Sequence, residues 1–352
     1  MIDLRSDTQT RPSPAMRAAM VAAPVGDEQK REDPTVLALE EAAAAFVGQP
    51  EAVYLPTATM ANQIALVILG ARGSELLVEA TAHIMISELG GPAIHAGLLA
   101  RGLPGELGVV TPEQVRAAVN PADPLHTPQP SLLALENTHN SSGGTVWPHE
   151  ELVAVVATAR ELGLALHLDG ARLANAAVAA GRPAAEIGGL FDTVTLCFSK
   201  GLGCPLGAIL AGSPERMARA RIEKHRFGGA MRQAGIVAAS ALYALEHNVE
   251  RLEEDHTRAR ALAQAWADAG LPVDLARVQT NFVQLDVGAL GLSTRGALER
   301  LARSGVQLSS TVRSGVLRAV THLDIGDADV EAAARLAPAA LLDGARAQRP
   351  AA

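Results

Sequence analysis

The chain has 352 residues, 48% apolar and only 3% aromatic, with a formal net charge of -8 at pH 7 and a sequence pI near 5.7. That acidic balance argues against nucleic acid or an anionic membrane as the main partner. Its two cysteines, Cys197 and Cys204, are too few for a disulfide scaffold and lack metal-ligand spacing, so no metal is expected.

No apolar run reaches spanning length and the N-terminus carries no apolar signal core, so a soluble, reducing, cytoplasmic setting is expected. The length exceeds what a single core usually organises, which predicts two domains. In chain order, Asp33-Pro34 reads as an N-cap with proline at the first helical position. It opens a helix that Gly48 stops, with Val36, Leu39, Ala43, Phe46 and Val47 at helical spacing. A strand is predicted at 52–55, a helix at 61–69 and a strand at 75–78. Thr111-Pro112-Glu113-Gln114 is a capping box opening a short helix to Val119. The apolar runs 131–135, 164–168 and 194–198 suit central strands of a sheet covered on both faces, with a helix at 150–162 between the first two. This alternation predicts a mostly parallel α/β sheet. After about Arg232 the pattern changes to one or two long helices over 236–270. A smaller α+β region follows, with strands at 281–287 and 317–323 and helices near 295–303 and 327–342. Polar loops at 27–33 and 120–130 are places where sites often sit.

Only three lysines occur against 27 arginines, and Lys200 closes the run Asp-Thr-Val-Thr-Leu-Cys-Phe-Ser-Lys-Gly, residues 192–201. Arginine holds phosphate or carboxylate well but does not readily form an imine, so a retained lysine suggests Schiff-base chemistry. Asp169, in His167-Leu-Asp-Gly-Ala-Arg172, ends the preceding strand and lies 31 residues before Lys200. Two adjacent parallel strands would bring both to the carboxyl edge of the sheet, where ligands of open α/β folds bind. An amine for an aldehyde and a carboxylate for a pyridine nitrogen are what pyridoxal phosphate requires. Taken singly, Lys200 reads as well as a solvated strand-end lysine, and Asp169 as the N-cap of a helix near Ala171. Pro56-Thr-Ala-Thr-Met-Ala-Asn62 lies between a strand and a helix. Its backbone N–H groups and the Thr57 and Thr59 hydroxyls could take the phosphate. His83 follows the third strand and could lie flat on the cofactor.

At these residues the chain resembles the L-threonine aldolases of the aspartate-aminotransferase-like group of pyridoxal phosphate enzymes, in their low-specificity type. Eight blocks carry the resemblance in order: residues 3–8, 24–27, 33–36, 135–140, 167–172, 199–203, 231–235 and 318–324. The resemblance implies a fold-type-I chain: a mostly parallel seven-stranded sheet covered by helices, with a smaller α+β C-terminal domain. The expected division is an N-terminal arm over 1–15, a cofactor-binding domain over 16–240, a smaller domain with its linking helix over 241–345, and a frayed tail over 346–352, whose composition is Ala, Arg, Gln and Pro. Lys200 would bind the cofactor covalently, Asp169 would hold the pyridine nitrogen and His83 would stack on the ring. Ala58 and Thr59 would receive the phosphate, with Arg232 reaching it from a neighbouring subunit. Ser6, Arg172 and Arg318 would grip the substrate carboxylate, and His83 and His126 would face the β-hydroxyl. The implied reaction is cleavage of L-threonine, L-allo-threonine and other β-hydroxy-α-amino acids to glycine and an aldehyde. The implied assembly is a homotetramer with sites at a dimer interface.

The chain departs from the family pattern in one loop. Gly26-Asp-Glu-Gln-Lys-Arg-Glu-Asp-Pro34 carries Lys30 where the family has an active-site tyrosine, so Lys30 becomes a candidate substrate-binding residue. His225 stands where a lysine is frequent, and Ala230 replaces a glycine. Two other activities compete: β-elimination or a phenylserine-type aldolase. A non-catalytic pyridoxal-phosphate-binding interaction protein is the third alternative.

Overall fold

The computed structural model describes residues 1–119 and 126–346. Part of the expected polar loop at 120–130, and all but the first residue of the expected tail, lie outside the described residues. The chain begins with a short strand, β1 (Ile2–Asp3). Seven strands then form one sheet: β2 (Glu51–Leu55), β3 (Glu75–Glu79), β4 (Leu99–Leu103), β5 (Pro130–Glu136), β6 (Ala165–Gly170), β7 (Thr193–Cys197) and β8 (Ala208–Gly212). Their order is β2-β8-β7-β6-β5-β3-β4, and β8 alone runs antiparallel to its neighbours. The expected mostly parallel seven-stranded sheet is therefore present.

Alanine, valine and leucine supply both faces. On one, Leu77, Leu133, Leu166 and Val194 pack with Leu39, Ala43 and Val155 of helices Pro34–Phe46 and His149–Glu161. On the other, helix Ala58–Leu69 sets Ile64 and Ala65 against Val53 and Leu210, and Leu66 against Leu76 and Leu132. Full burial of such side chains contributes roughly 1.5–3 kcal/mol each. This helix begins three residues before the periodic pattern predicts, because the Thr57 hydroxyl caps it by accepting the Met60 N–H. The pattern missed β4 and β8. The edge strand β4 carries Arg101 and Gly102, and β8 is Ala-Ile-Leu-Ala-Gly, both poor in β-branched residues. It also missed helices Pro14–Ala22 and Pro214–Arg226, while the helix expected near Ala171 runs over Leu173–Ala180.

The predicted long helical region is two helices, Gly235–His247 and Leu252–Asp268. Beyond it, β9 (Phe282–Asp286), β10 (Val306–Gln307), β11 (Ser309–Ser310) and β12 (Val316–Val320) complete the strands. β11-β12-β9 form an antiparallel sheet, while β10 pairs in parallel with β1. This region has its own core, in which Trp266, Leu285 and Leu317 are fully buried. The N-terminal segment belongs to it: Leu4 is fully buried there, and its carbonyl accepts the Val320 N–H at 2.8 Å. A few residues later Thr10 reaches the larger core, where its hydroxyl donates to the Lys200 carbonyl at 2.8 Å. Ser6 and Asp7 are thereby carried into the seam between the two cores.

Candidate active site

Strand β6 delivers Asp169 to the carboxyl edge of the sheet, beside Glu136 of β5 and Thr195 of β7. Asp169 is 1% exposed. One oxygen accepts the Ala171 N–H at 3.1 Å and the other accepts the Asn62 amide at 2.9 Å. Asp169 is not the N-cap of the following helix, which starts at Leu173 after Arg172. Among the described residues it has no ion-pair partner, so a buried carboxylate here is short of one cationic or N–H donor. The Asn62 carbonyl oxygen faces His167 Nε2 at 3.1 Å, which places the imidazole proton on Nε2 and leaves Nδ1 to accept from the Thr193 hydroxyl. Burial pushes His167 down to about 4, against the opposing charge of Asp169, and keeps it neutral.

Lys200 follows β7 by three residues, and β6 and β7 are adjacent parallel strands, as the spacing implies. It is half-buried, and its amine makes no hydrogen bond or ion pair among the described residues. The first N–H groups of helix Ala58–Leu69 include those of Ala58 and Thr59 and point out of the helix end, where Thr57 and Thr59 are exposed. At 1.5 Å rise per residue, this end lies about 6 Å along the axis from Asn62, the residue that touches Asp169. An anion-binding helix terminus, a buried carboxylate lacking a donor and an unpaired amine fit pyridoxal phosphate.

His83 opens the short helix His83–Ile86. Its backbone N–H donates to Glu136 Oε2 at 2.6 Å, and its ring Nδ1 lies 3.0 Å from Glu88 Oε1. A ring nitrogen of His83 and one oxygen each of Glu88 and Asp169 lie within 4.8 Å of one another. Glu88 raises the imidazole above its usual range, against the effect of burial. Glu136, itself buried and raised by that burial, also accepts the Asn140 N–H at 2.8 Å. One carboxylate thus fixes the His83 turn and the Asn140 loop together.

The third cluster is cationic. Arg172 donates Nε and Nη2 to the two oxygens of Asp7, both at 2.7 Å, and Nη1 to Asn140 Oδ1 at 3.3 Å. Arg318 donates Nη1 to the same Asn140 oxygen at 3.0 Å, and its Nε meets the Ser309 hydroxyl at 3.2 Å. Both guanidinium groups lie over the Phe282 ring, at 4.9 and 5.2 Å. Burial would raise Asp7, but Arg172, Lys200 and Arg318 outweigh it and hold the carboxyl well below its usual range. Arg318 has no carboxylate partner among the described residues. Burial and the neighbouring Arg172 push it down to about 10, despite Asp7. Two guanidinium charges with one carboxylate leave a positive site that an anion would neutralise. Ser6 stands beside it, half-buried, its hydroxyl capping the turn Asp7–Gln9 by accepting the Thr8 N–H.

The remaining candidates lie outward. Arg232 is exposed and pairs with Asp27 at 3.0 Å, and Lys30 is exposed at the end of the turn Glu28–Lys30. That turn is anchored by Glu28, which takes the buried Lys224 amine and the Met231 N–H. His126 is exposed and directly follows the undescribed segment. Sequence reasoning named no role for Asp7, Asn62, Glu88, Glu136, Asn140 or Phe282. Asp7, Glu136 and Asn140 sit inside the resembling blocks, which is the only signal they offered.

The beta-eliminating lyase family profile matches residues 3–289. The low specificity L-threonine aldolase of Escherichia coli strain K12 is 42% identical over 326 residues, covering 92% of this chain and 95% of that one. Among solved structures, a threonine aldolase of Leishmania major matches with a TM-score of 0.82 at 17% identity, covering 97% and 98% of the two chains. A serine palmitoyltransferase of S. paucimobilis carrying a bound pyridoxal phosphate adduct matches with a TM-score of 0.76 at 16% identity, over 98% and 88%.

Proposed function

The chain belongs to the beta-eliminating lyase family, and we infer from that membership and from the site that it is a pyridoxal-phosphate-dependent L-threonine aldolase. It is a carbon–carbon lyase that cleaves L-threonine, L-allo-threonine and other β-hydroxy-α-amino acids to glycine and an aldehyde. Pyridoxal phosphate supplies a carbonyl carbon for the amino group and a conjugated ring that takes up the electron pair left when a bond to Cα breaks. When bound, it would be held covalently by Lys200, with Asp169 pairing the ring nitrogen, His83 flanking the ring, and the Ala58 and Thr59 N–H groups taking the phosphate.

Arg318, with Arg172 Nη1 and the Ser6 hydroxyl, holds the substrate carboxylate. Fixing that group sets the rotation about Cα and so selects Cα–Cβ as the bond to cleave. Orientation of this kind is worth roughly 7–11 kcal/mol in favourable systems. A histidine accepts the β-hydroxyl proton, and its intrinsic pKa suits that transfer. We assign the role to His83, which opens the short helix beside Asp169. His126 is the second histidine facing the substrate.

One observation carries this reading: Arg318 has no carboxylate partner among the described residues, beside an Arg172 already paired with Asp7. The test is product analysis with threonine, allo-threonine, serine and phenylserine. The aldolase releases glycine and an aldehyde, and exchanges the α-proton of glycine. A β-eliminating enzyme releases a keto acid and ammonia instead, and that product pattern would refute the assignment.

The finer features are proposals as well. The chain assembles as a homotetramer with sites at a dimer interface, and Arg232 and Lys30 reach a neighbouring subunit's site. The exposed apolar side chains of Ile86, Leu89 and Ile94, next to the His83 segment, support such an interface. The enzyme acts on small amino acids in the cytoplasm. No helix among the described residues is long and apolar enough to cross a membrane.

A further inference from the structure

The reading above uses His83 as a base but leaves unused the buried acid beside it. Glu88 has no exposed side-chain surface, yet it is fully engaged. Its Oε1 accepts the Asn62 amide at 2.9 Å and faces His83 Nδ1 at 3.0 Å, and its Oε2 accepts the Gln63 amide at 2.5 Å. The Asn62 amide that reaches Glu88 also donates to Asp169, and its oxygen meets His167. The chain turns sharply directly after Glu88. Leu89 follows with φ 52, a left-handed conformation costly for a branched side chain, and is 91% exposed. The turn closes with the Gly91 N–H on the Glu88 carbonyl at 2.9 Å. A side chain at position 91 would collide with Gln63, since an added Cβ lies 2.6 Å from its amide carbon.

We propose that Glu88 is a positioning residue that fixes the His83 proton on Nδ1, leaves Nε2 as the proton acceptor, and joins the imidazole to Asp169 through Asn62 as one hydrogen-bonded unit. The inference rests on the reading of His83 as the base. A carboxylate accepts and cannot donate, so it selects the Nδ1–H tautomer. An amide in its place presents both a donor and an acceptor and selects neither. The other groups facing His83 do not supply this selection. Glu136 takes the backbone N–H, Asp169 acts through its charge in the same direction as Glu88, and Lys200 acts through its charge in the opposite one. Asn62 being shared, a change in the Glu88 hydrogen bonds alters the donor that Asp169 keeps.

The test is Glu88→Gln, which conserves shape, read in three ways on the cofactor-loaded enzyme and on the purified chain without cofactor. First, kcat for threonine cleavage should fall roughly 10²-fold, the lower range for loss of a general base. The acid limb of the kcat/KM profile should move to lower pH, because a negative neighbour is gone. Second, the loss should disappear when Glu88→Gln is made in a His83→Asn background. Third, NMR of isotope-labelled imidazole nitrogens should show a single Nδ1–H tautomer for His83 in the parent and a mixture in Glu88→Gln. Glu88→Asp should restore part of the tautomer preference. An unmoved limb with an unchanged tautomer overturns the proposal, as does a loss of equal size in the His83→Asn background. Full activity of His83→Asn alone refutes the base assignment instead; the NMR result still reports on Glu88 by itself.

Discussion

Arg172 lies along Asp7 with both of its edge donors 2.7 Å from the two carboxylate oxygens, and the neighbouring Arg318 shares Asn140 with it but has no carboxylate partner among the described residues. The pair is buried, with side-chain exposures of 6% and 0%. Breaking such a pair from one side leaves an uncompensated charge and costs about 3–5 kcal/mol. Asp7→Asn should lower stability by an amount of that order in urea unfolding. It should also raise KM for threonine, because Arg172 is released from its fixed orientation.

The same pair predicts a pH signature. The Asp7 carboxyl is held below its usual range, so its contribution is fully present above the unfolded value of about 3.9 and fades as pH falls through the lower folded one. The stability gap between the parent and Asp7→Asn should be flat at neutral pH and shrink below pH about 4. A gap that is constant down to the acid unfolding transition would contradict the pairing.

His167 titrates with the opposite sense for a histidine. Unfolded it takes a proton near 6.5, whereas in the buried site it resists until about 4. Between those values the unfolded state binds more protons, so stability falls with falling pH by up to about 3 kcal/mol. His167→Gln should flatten that part of the stability profile, measured by denaturant unfolding at stepped pH.

Arg318→Lys should raise KM for threonine about 10²-fold, near the 2–5 kcal/mol cost of truncating one member of a buried charge pair. A point charge on a flexible stem cannot bridge Asn140, Ser309 and a carboxylate as the planar fork does. Cofactor binding, followed by visible absorbance, should be unchanged.

Lys200→Ala should lower turnover on the order of 10³-fold or more and leave no cofactor fixed to the chain after borohydride reduction. Lys30→Tyr should do neither. Its expected effect is on the ratio of kcat/KM for phenylserine to that for threonine, measured at saturating cofactor.

The sequence alone determined the architecture and the strand ends that carry the two residues proposed to hold the cofactor. Apolar runs of strand length, alternating with capped helices, leave few packings other than a covered parallel sheet. Asp169 and Lys200 were legible because each lies just past a run of that kind, so one crossover brings them together. The eight resembling blocks then named Arg172 and Arg318. Tertiary structure decided what those residues are bonded to. Asp7 meets Arg172 across 165 positions, Asn62 meets Asp169 across 107, and Asn140 meets Arg318 across 178. Hydrogen bonds at such separations leave no periodicity, because a side chain's local neighbours along the chain are set by its own helix or strand. Glu88 illustrates the limit. In the sequence it is a glutamate before Leu-Gly-Gly, and only burial against His83, Asn62 and Gln63 makes it part of the site.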